Sequence, residues 1–161
     1  MKLPLMIGVG YGLLWWFARR VAEDSRVRQL VLLSYGLRVL ISLTLYAISY
    51  YGWPIFESLQ TQEGFWSFGL DGFSYDHFGR RIAHAWVHGT ELPDPVMGFA
   101  YYAVVGGLYF LLGSHPLYPI VLNGWLAAAS GLLAFAIGKR LFGVRAALWS
   151  TLLVSFWPSS F

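Results

Sequence analysis

The sequence predicts an all-α integral membrane protein, a helical bundle with a long external loop that carries one or two amphipathic surface helices. Three observations predict it. Of 161 residues, 57% are hydrophobic, 19% aromatic and only 12% charged, against about 45–50% apolar and about 25% charged in soluble domains. Two apolar stretches, 30–51 and 117–137, are long enough to cross a hydrocarbon core of about 30 Å at 1.5 Å per residue. Nearly every Lys and Arg stands beside an apolar segment, so the net charge of +3 reflects membrane topology rather than nucleic-acid contact. With no cysteine, disulfides, thiolate catalysis and Cys-ligated zinc or iron–sulfur sites are excluded.

Residues 3–18 form a short, Gly-containing apolar helix. A signal peptide headed by Lys2 is the rival reading, but no A-x-A-like site precedes the arginines, and Trp15 and Trp16 suit interfacial anchors, so the helix is read as retained. Arg19, Arg20, Arg26 and Arg28 mark residues 19–28 as one cytoplasmic loop. A span follows at 29–51, with Arg38 in its middle, where a charge is costly unless paired or hydrated. Arg38 suits either snorkelling or helix pairing on one hand, or contact with a substrate or carboxylate on the other. The stretch 52–116 is read as external. It begins with loop composition (Pro54, Gly64, Gly69, Gly72) and holds six of the eight acidic residues. A second span is expected at 117–138, where Asn123 suits a helix–helix hydrogen bond, and a third, truncated, at 144–161.

Lys139, Arg140 and Arg145 mark residues 139–145 as a second cytoplasmic loop. Three crossings between the two basic loops would give the wrong parity. The segment 99–112, about 21 Å as a helix and bounded by Pro95, Gly98, Gly113 and Pro116, is the one expected not to span. It is read as a surface helix in the outer leaflet. The chain is thus a single membrane domain, 1–161, in the cell membrane, whose partners are membrane lipids and other membrane subunits.

The segment 73–88 is the other surface helix. At 100° per residue, His77, Arg80, Arg81, His84 and His88 fall within about 60° of one line, opposite Tyr75, Phe78, Ile82 and Trp86. Asp71 or Ser74 can cap its start and Gly89 can end it. The basic face suits either lipid phosphates at an interface or a phosphorylated lipid substrate held by arginine forks beside an acidic residue. That acid, Asp71, can act as a general base or bind a divalent cation. His84 and His88 also have the i, i+4 spacing of helical metal ligands, which keeps open a metal, pigment or haem site using His77, His84 or His88. Arg80 and Arg81 beside them disfavour a cation.

The order of parts resembles the glycosyltransferase-C superfamily, in particular the bacterial family similar to protein O-mannosyltransferases and aminoarabinose transferases. Asp71-Gly72-Phe73-Ser74-Tyr75 fits that family's D-x-x-x-Y motif at the opening of the first external loop. Ala83 to Gly89, Gly98 to Gly113, Lys139-Arg140-Leu141-Phe142-Gly143 with Arg145 to Leu148, and Phe156 to Ser160 follow in the family's order. The ordered set covers roughly 30–161. The resemblance implies sugar transfer from a polyprenyl-phosphate donor on the external face, with Asp71 and Tyr75 at the catalytic centre and Arg80, Arg81, His77, His84 and His88 near the donor phosphate. Gly72 stands where the motif commonly has a second carboxylate, which puts metal dependence in question. An extra helix precedes the first span, and the family continues through further spans, so the chain is read as an N-terminal portion. The competing reading is a non-catalytic accessory subunit of a membrane complex, derived from such a transferase.

Overall fold

The computed structural model describes residues 2–92 and 99–156. Among these residues the chain forms six α-helices and one two-stranded hairpin. The all-α expectation fits, apart from that hairpin. The helices are α1 (Lys2–Val21), α2 (Ser25–Tyr50), α3 (Leu70–His88), α4 (Phe99–Leu112), α5 (Leu117–Phe142) and α6 (Val144–Phe156). Two of them, α2 and α5 at 26 residues each, are long and apolar enough to cross a membrane. The α4 helix, at 14 residues, is too short to do so upright. Of the third expected span the structure describes the part up to Phe156; Pro158 and Gly98 of the sequence motifs lie outside the described residues.

The chain divides into two compact units, residues 43–119 and residues 1–42 with 120–161. In the second of these, two glycines let α1 and α2 approach closely. A Cβ on Gly10 would run into the Tyr35 hydroxyl, and one on Gly36 into the Tyr11 hydroxyl; the two tyrosine rings meet edge to face at 4.8 Å. Trp125 Nε1 on α5 donates to the Gly10 carbonyl at 3.1 Å. A Cβ on Gly138 of α5 would come within 2.9 Å of the Ala147 Cα of α6. Arg38, buried on α2, donates from Nη2 to the Ser155 carbonyl of α6. It therefore ties two helices together in the apolar interior.

The basic loops are shorter than the sequence suggests. Asp24 Oδ1 accepts from the Arg26 amide at 2.8 Å, an N-terminal cap that starts α2 four residues before the expected position 29 and draws Arg26 and Arg28 into the helix. Gly143, at φ 84°, makes the only break between α5 and α6 among the described residues. Lys139 and Arg140 thus end one helix and Arg145 begins the next.

In the unit 43–119, the chain leaves α2 and forms the hairpin β1 (Gln60–Gln62) and β2 (Phe65–Trp66), paired antiparallel. Glu63 and Gly64 take positive φ at its tip. Ser49 Oγ donates to the Phe65 carbonyl at 2.7 Å, and Trp66 Nε1 donates to the Leu45 carbonyl at 3.1 Å. These two bonds fasten the hairpin to the last turns of α2. A single 3-10 turn, Ser67–Gly69, leads from the hairpin into α3.

Helices α3 and α4 pack along one another in the same direction, since the touching pairs advance in step: Tyr75 with Tyr101, Phe78 with Tyr102, Trp86 with Phe110. Glycine makes the crossing close. A Cβ on Gly79 would lie 2.5 Å from Val105 Cγ1, and one on Gly106 would lie 2.6 Å from Ile82 Cγ2. Ile82 and Val105, both fully buried, fill the space that the missing side chains leave.

Candidate functional site

The α3 helix presents different chemistry on each side. Its start is not built as expected: the N-cap is Gly69, with no side-chain cap bond, and neither Asp71 nor Ser74 caps it. Asp71 lies inside the first turn and is exposed; its carboxylate makes no hydrogen bond among the described residues. The C-terminal end is as expected, with Gly89 left-handed at φ 64° and its amide bonded to the Ala85 carbonyl, a conformation glycine adopts without strain.

Toward the C-terminal half of α3, Arg80, Arg81, His84 and His88 line a cleft of about 620 Å³, joined by Glu91 and by Tyr109 of α4. The two histidine rings stand 4.2 Å apart. The cleft is not strongly basic. Asp76 holds Arg80 and Glu91 sits in the lining, so two carboxylates stand against the two guanidiniums. An anion there would be recognised by aimed N–H groups rather than by excess charge.

Beneath the cleft lies a feature that the sequence reading did not single out. Asp76, only 9% exposed, accepts from the Tyr109 hydroxyl at 2.5 Å and from Arg80 Nε at 2.7 Å, one bond to each carboxylate oxygen. A buried carboxylate is costly unless both oxygens are satisfied, and here both are. Burial, and then the bond to Asp76, push the Tyr109 hydroxyl well above the ordinary tyrosine value, so it remains a donor. The same bond to Asp76 raises Arg80. The Arg80 guanidinium also stands 5.9 Å from the centre of the Tyr109 ring. The Asp76–Arg80 pair was legible as an i, i+4 acid-before-base spacing. Tyr109 is a partner from another helix, 33 positions away, and local spacing carries no trace of it.

The other expected site residues lie elsewhere. Tyr75 packs between the rings of Tyr101 and Tyr102, at 4.6 and 5.4 Å. His77 is exposed, stacked on Phe73 and edge-on to Phe78, outside the cleft lining. Asp71 is nine residues before Arg80, which places it about 180° around the helix and about 13 Å along its axis. The Asp71 carboxylate and Arg80 therefore point away from each other, while Arg81 lies about 80° round the helix from Asp71 and about 15 Å along it. Among the described residues no group of three or more His, Asp or Glu could hold a metal ion. Asp71, with Gly72 beside it, and the His84–His88 pair belong to no such group among the described residues.

Compared with known proteins, the chain matches no family model, no curated protein and no solved structure.

Proposed function

We propose that this chain is the N-terminal part of a membrane glycosyltransferase that takes a sugar from a polyprenyl-phosphate-linked donor on the external face of the membrane, with residues 52–116 on that face. The observation that carries the reading is the state of Asp71. The bland explanation for an aspartate at a helix start is a cap, and Asp71 caps nothing. Its carboxylate is exposed and unspent, at the start of a helix that follows a span-length helix through a short hairpin. In this role Asp71 takes the proton from the acceptor's hydroxyl or amine as that atom attacks the anomeric carbon of the sugar. The bond from that carbon to the phosphate oxygen breaks, and the lipid phosphate leaves. Tyr75, packed against Tyr101 and Tyr102, steadies the turn that bears Asp71.

Arg80 and His84 are on the far side of α3 from Asp71, Arg81 and His88 lie about 80–100° round from it, and all four are about 13 Å or more along the axis. The donor phosphate at Asp71 therefore needs partners other than these four. A second reading, a non-catalytic subunit of a membrane complex derived from such a transferase, is favoured by the lack, among the described residues, of any group of three or more His, Asp or Glu that could hold a metal ion.

The test is transfer from short-chain polyprenyl-phosphate sugars by the intact protein purified from its native membrane. Asp71→Asn should abolish transfer without lowering thermal stability. Retained transfer overturns the role of Asp71. A species near 18.1 kDa that copurifies with partner subunits and transfers no sugar establishes the second reading.

A further inference from the structure

We propose that the cleft on the C-terminal half of α3 is a binding site for a phosphate monoester, and that Asp76 and Tyr109 are the positioning residues that aim Arg80 into it. The inference does not depend on the role of Asp71, which is outside the cleft lining and nine or more residues before the α3 residues that form it.

The argument starts from what fixes Arg80. A surface arginine samples many rotamers, and ordering it for a ligand costs side-chain entropy. Here the cost is met before any ligand arrives. Nε is bonded to Asp76 Oδ2, the guanidinium stands over the Tyr109 ring, and Asp76 is itself held by the Tyr109 hydroxyl. Because Nε–H is used, the N–H groups of both Nη atoms are left for the cleft that Arg80 lines. That fork matches two oxygens of a phosphoryl group. Arg81, His84 and His88 add donors from the same lining.

The backbone makes this geometry stiff. Gly79 and Gly106 bring α3 and α4 so close that Val105 and Ile82 fill the contact, and Tyr109 sits one turn beyond Val105 on α4. The site is therefore built on two locked helices, not on a loop. The near balance of charge in the cleft also selects the ligand. Attraction by net charge alone would accept any anion, whereas directed N–H groups favour the tetrahedral oxygens of phosphate. The phosphate is carried either by a lipid headgroup or by a small soluble ester, and both offer the same chemistry.

The experiment uses the full chain in neutral detergent, titrated with dodecyl phosphate and, separately, with inorganic phosphate. The affinity of the wild type is compared with Arg80→Ala, Tyr109→Phe and the double variant. Tyr109→Phe removes one hydroxyl and no charge, so it isolates positioning. Arg80→Ala should weaken binding about tenfold or more, and Tyr109→Phe should weaken it several-fold. In the Arg80→Ala background Tyr109→Phe should change nothing further, because a positioning residue has no effect once its target is gone. An independent and equal loss in that background overturns the positioning role and leaves the phosphate site standing. No loss in Arg80→Ala overturns both. Saturation by dodecyl phosphate alone identifies a lipid-borne ligand, and equal saturation by inorganic phosphate identifies a soluble one; the variant pattern is expected in whichever arm binds.

Should Tyr109→Phe fail to fold, nitrogen-15 spectra of the wild-type arginine side chains decide. A slowly exchanging Arg80 Nε–H, assigned by its loss in Arg80→Lys, is the expected result. Fast exchange at Arg80 overturns the positioning role.

Discussion

The two units solve the problem of polar side chains in different ways. In the unit made of residues 1–42 and 120–161, hydroxyls bond back to their own helix: Ser34 to the Val31 carbonyl, Ser130 to Leu126, Ser150 to Ala146 and Thr151 to Ala147, at 2.8–2.9 Å. Such bonds need no water and no neighbour, which is the condition a hydrocarbon environment imposes. In the unit 43–119, polar groups reach across elements instead: Ser49 to β2, Trp66 to α2, and Tyr109 and Arg80 to Asp76. The first pattern frees those hydroxyls from any second helix, although Trp125 and Arg38 of the same unit do reach across to carbonyls of other helices. The second makes a tertiary network in which single groups hold others in place.

Four predictions bear on that contrast. The largest effect is expected where α3 crosses α4. Gly106→Ala would force its Cβ against Ile82 and toward the Gly79 carbonyl, and overpacking of this kind costs about 1–3 kcal/mol, more than the helix propensity that alanine restores. Thermal unfolding in detergent, followed by circular dichroism, reads it. An unchanged midpoint would mean that the two helices can separate without loss, and the network across them would carry little.

Next comes Tyr109→Phe, which leaves one oxygen of a buried carboxylate unsatisfied and should cost about 1–2 kcal/mol. Its pH dependence sharpens the point. The folded-state value of Tyr109 is raised by burial and by Asp76, so the unfolded chain, titrating at about 10, releases its proton first. The stability that Tyr109 contributes is complete below about pH 10 and is lost as pH rises from there toward the raised value. The wild type should therefore lose more stability between about pH 9 and pH 11 than Tyr109→Phe does. Parallel pH profiles would show that the hydroxyl is not held by Asp76.

A smaller effect of opposite sign is expected one residue from the crossing. A Cβ on Gly107 would find Trp86 at an ordinary 3.8 Å, so Gly107→Ala should stabilise by about 0.5–1 kcal/mol through backbone entropy. Loss of stability instead would place Gly107 in the close contact. The smallest effect belongs to the surface of the other unit. Lys139 and Glu23 pair at 3.5 Å with both side chains largely exposed, and Glu23→Gln should leave the midpoint unchanged, as exposed ion pairs contribute little.

How much of this could be read from the chain depends on the range of the interaction. The limits of α4 at residues 99 and 112, and the end of α3 at Gly89, were legible because proline and glycine stop helices locally. The α2 start was misplaced because Asp24 offered a cap that the arginine run concealed. The start of α3 was misplaced by three residues because Asp71 and Ser74 look like caps, whereas Gly69 takes that position. The hairpin at 60–66 was not expected at all: its strands are three and two residues long, too short for an alternating pattern, and it is secured by bonds to α2.

The sequence by itself determined the helices, their apolar lengths and the line of Arg80, Arg81, His84 and His88 along α3, because each follows from local periodicity and composition. Only the tertiary structure decided that Asp76, whose pairing with Arg80 is itself an i, i+4 spacing, is buried and closed by Tyr109. An acid at i−4 lies on the same flank of a helix and one at i−9 lies opposite. Burying that acid stably also required a hydroxyl from a second helix, brought within reach by two glycines far apart in the chain.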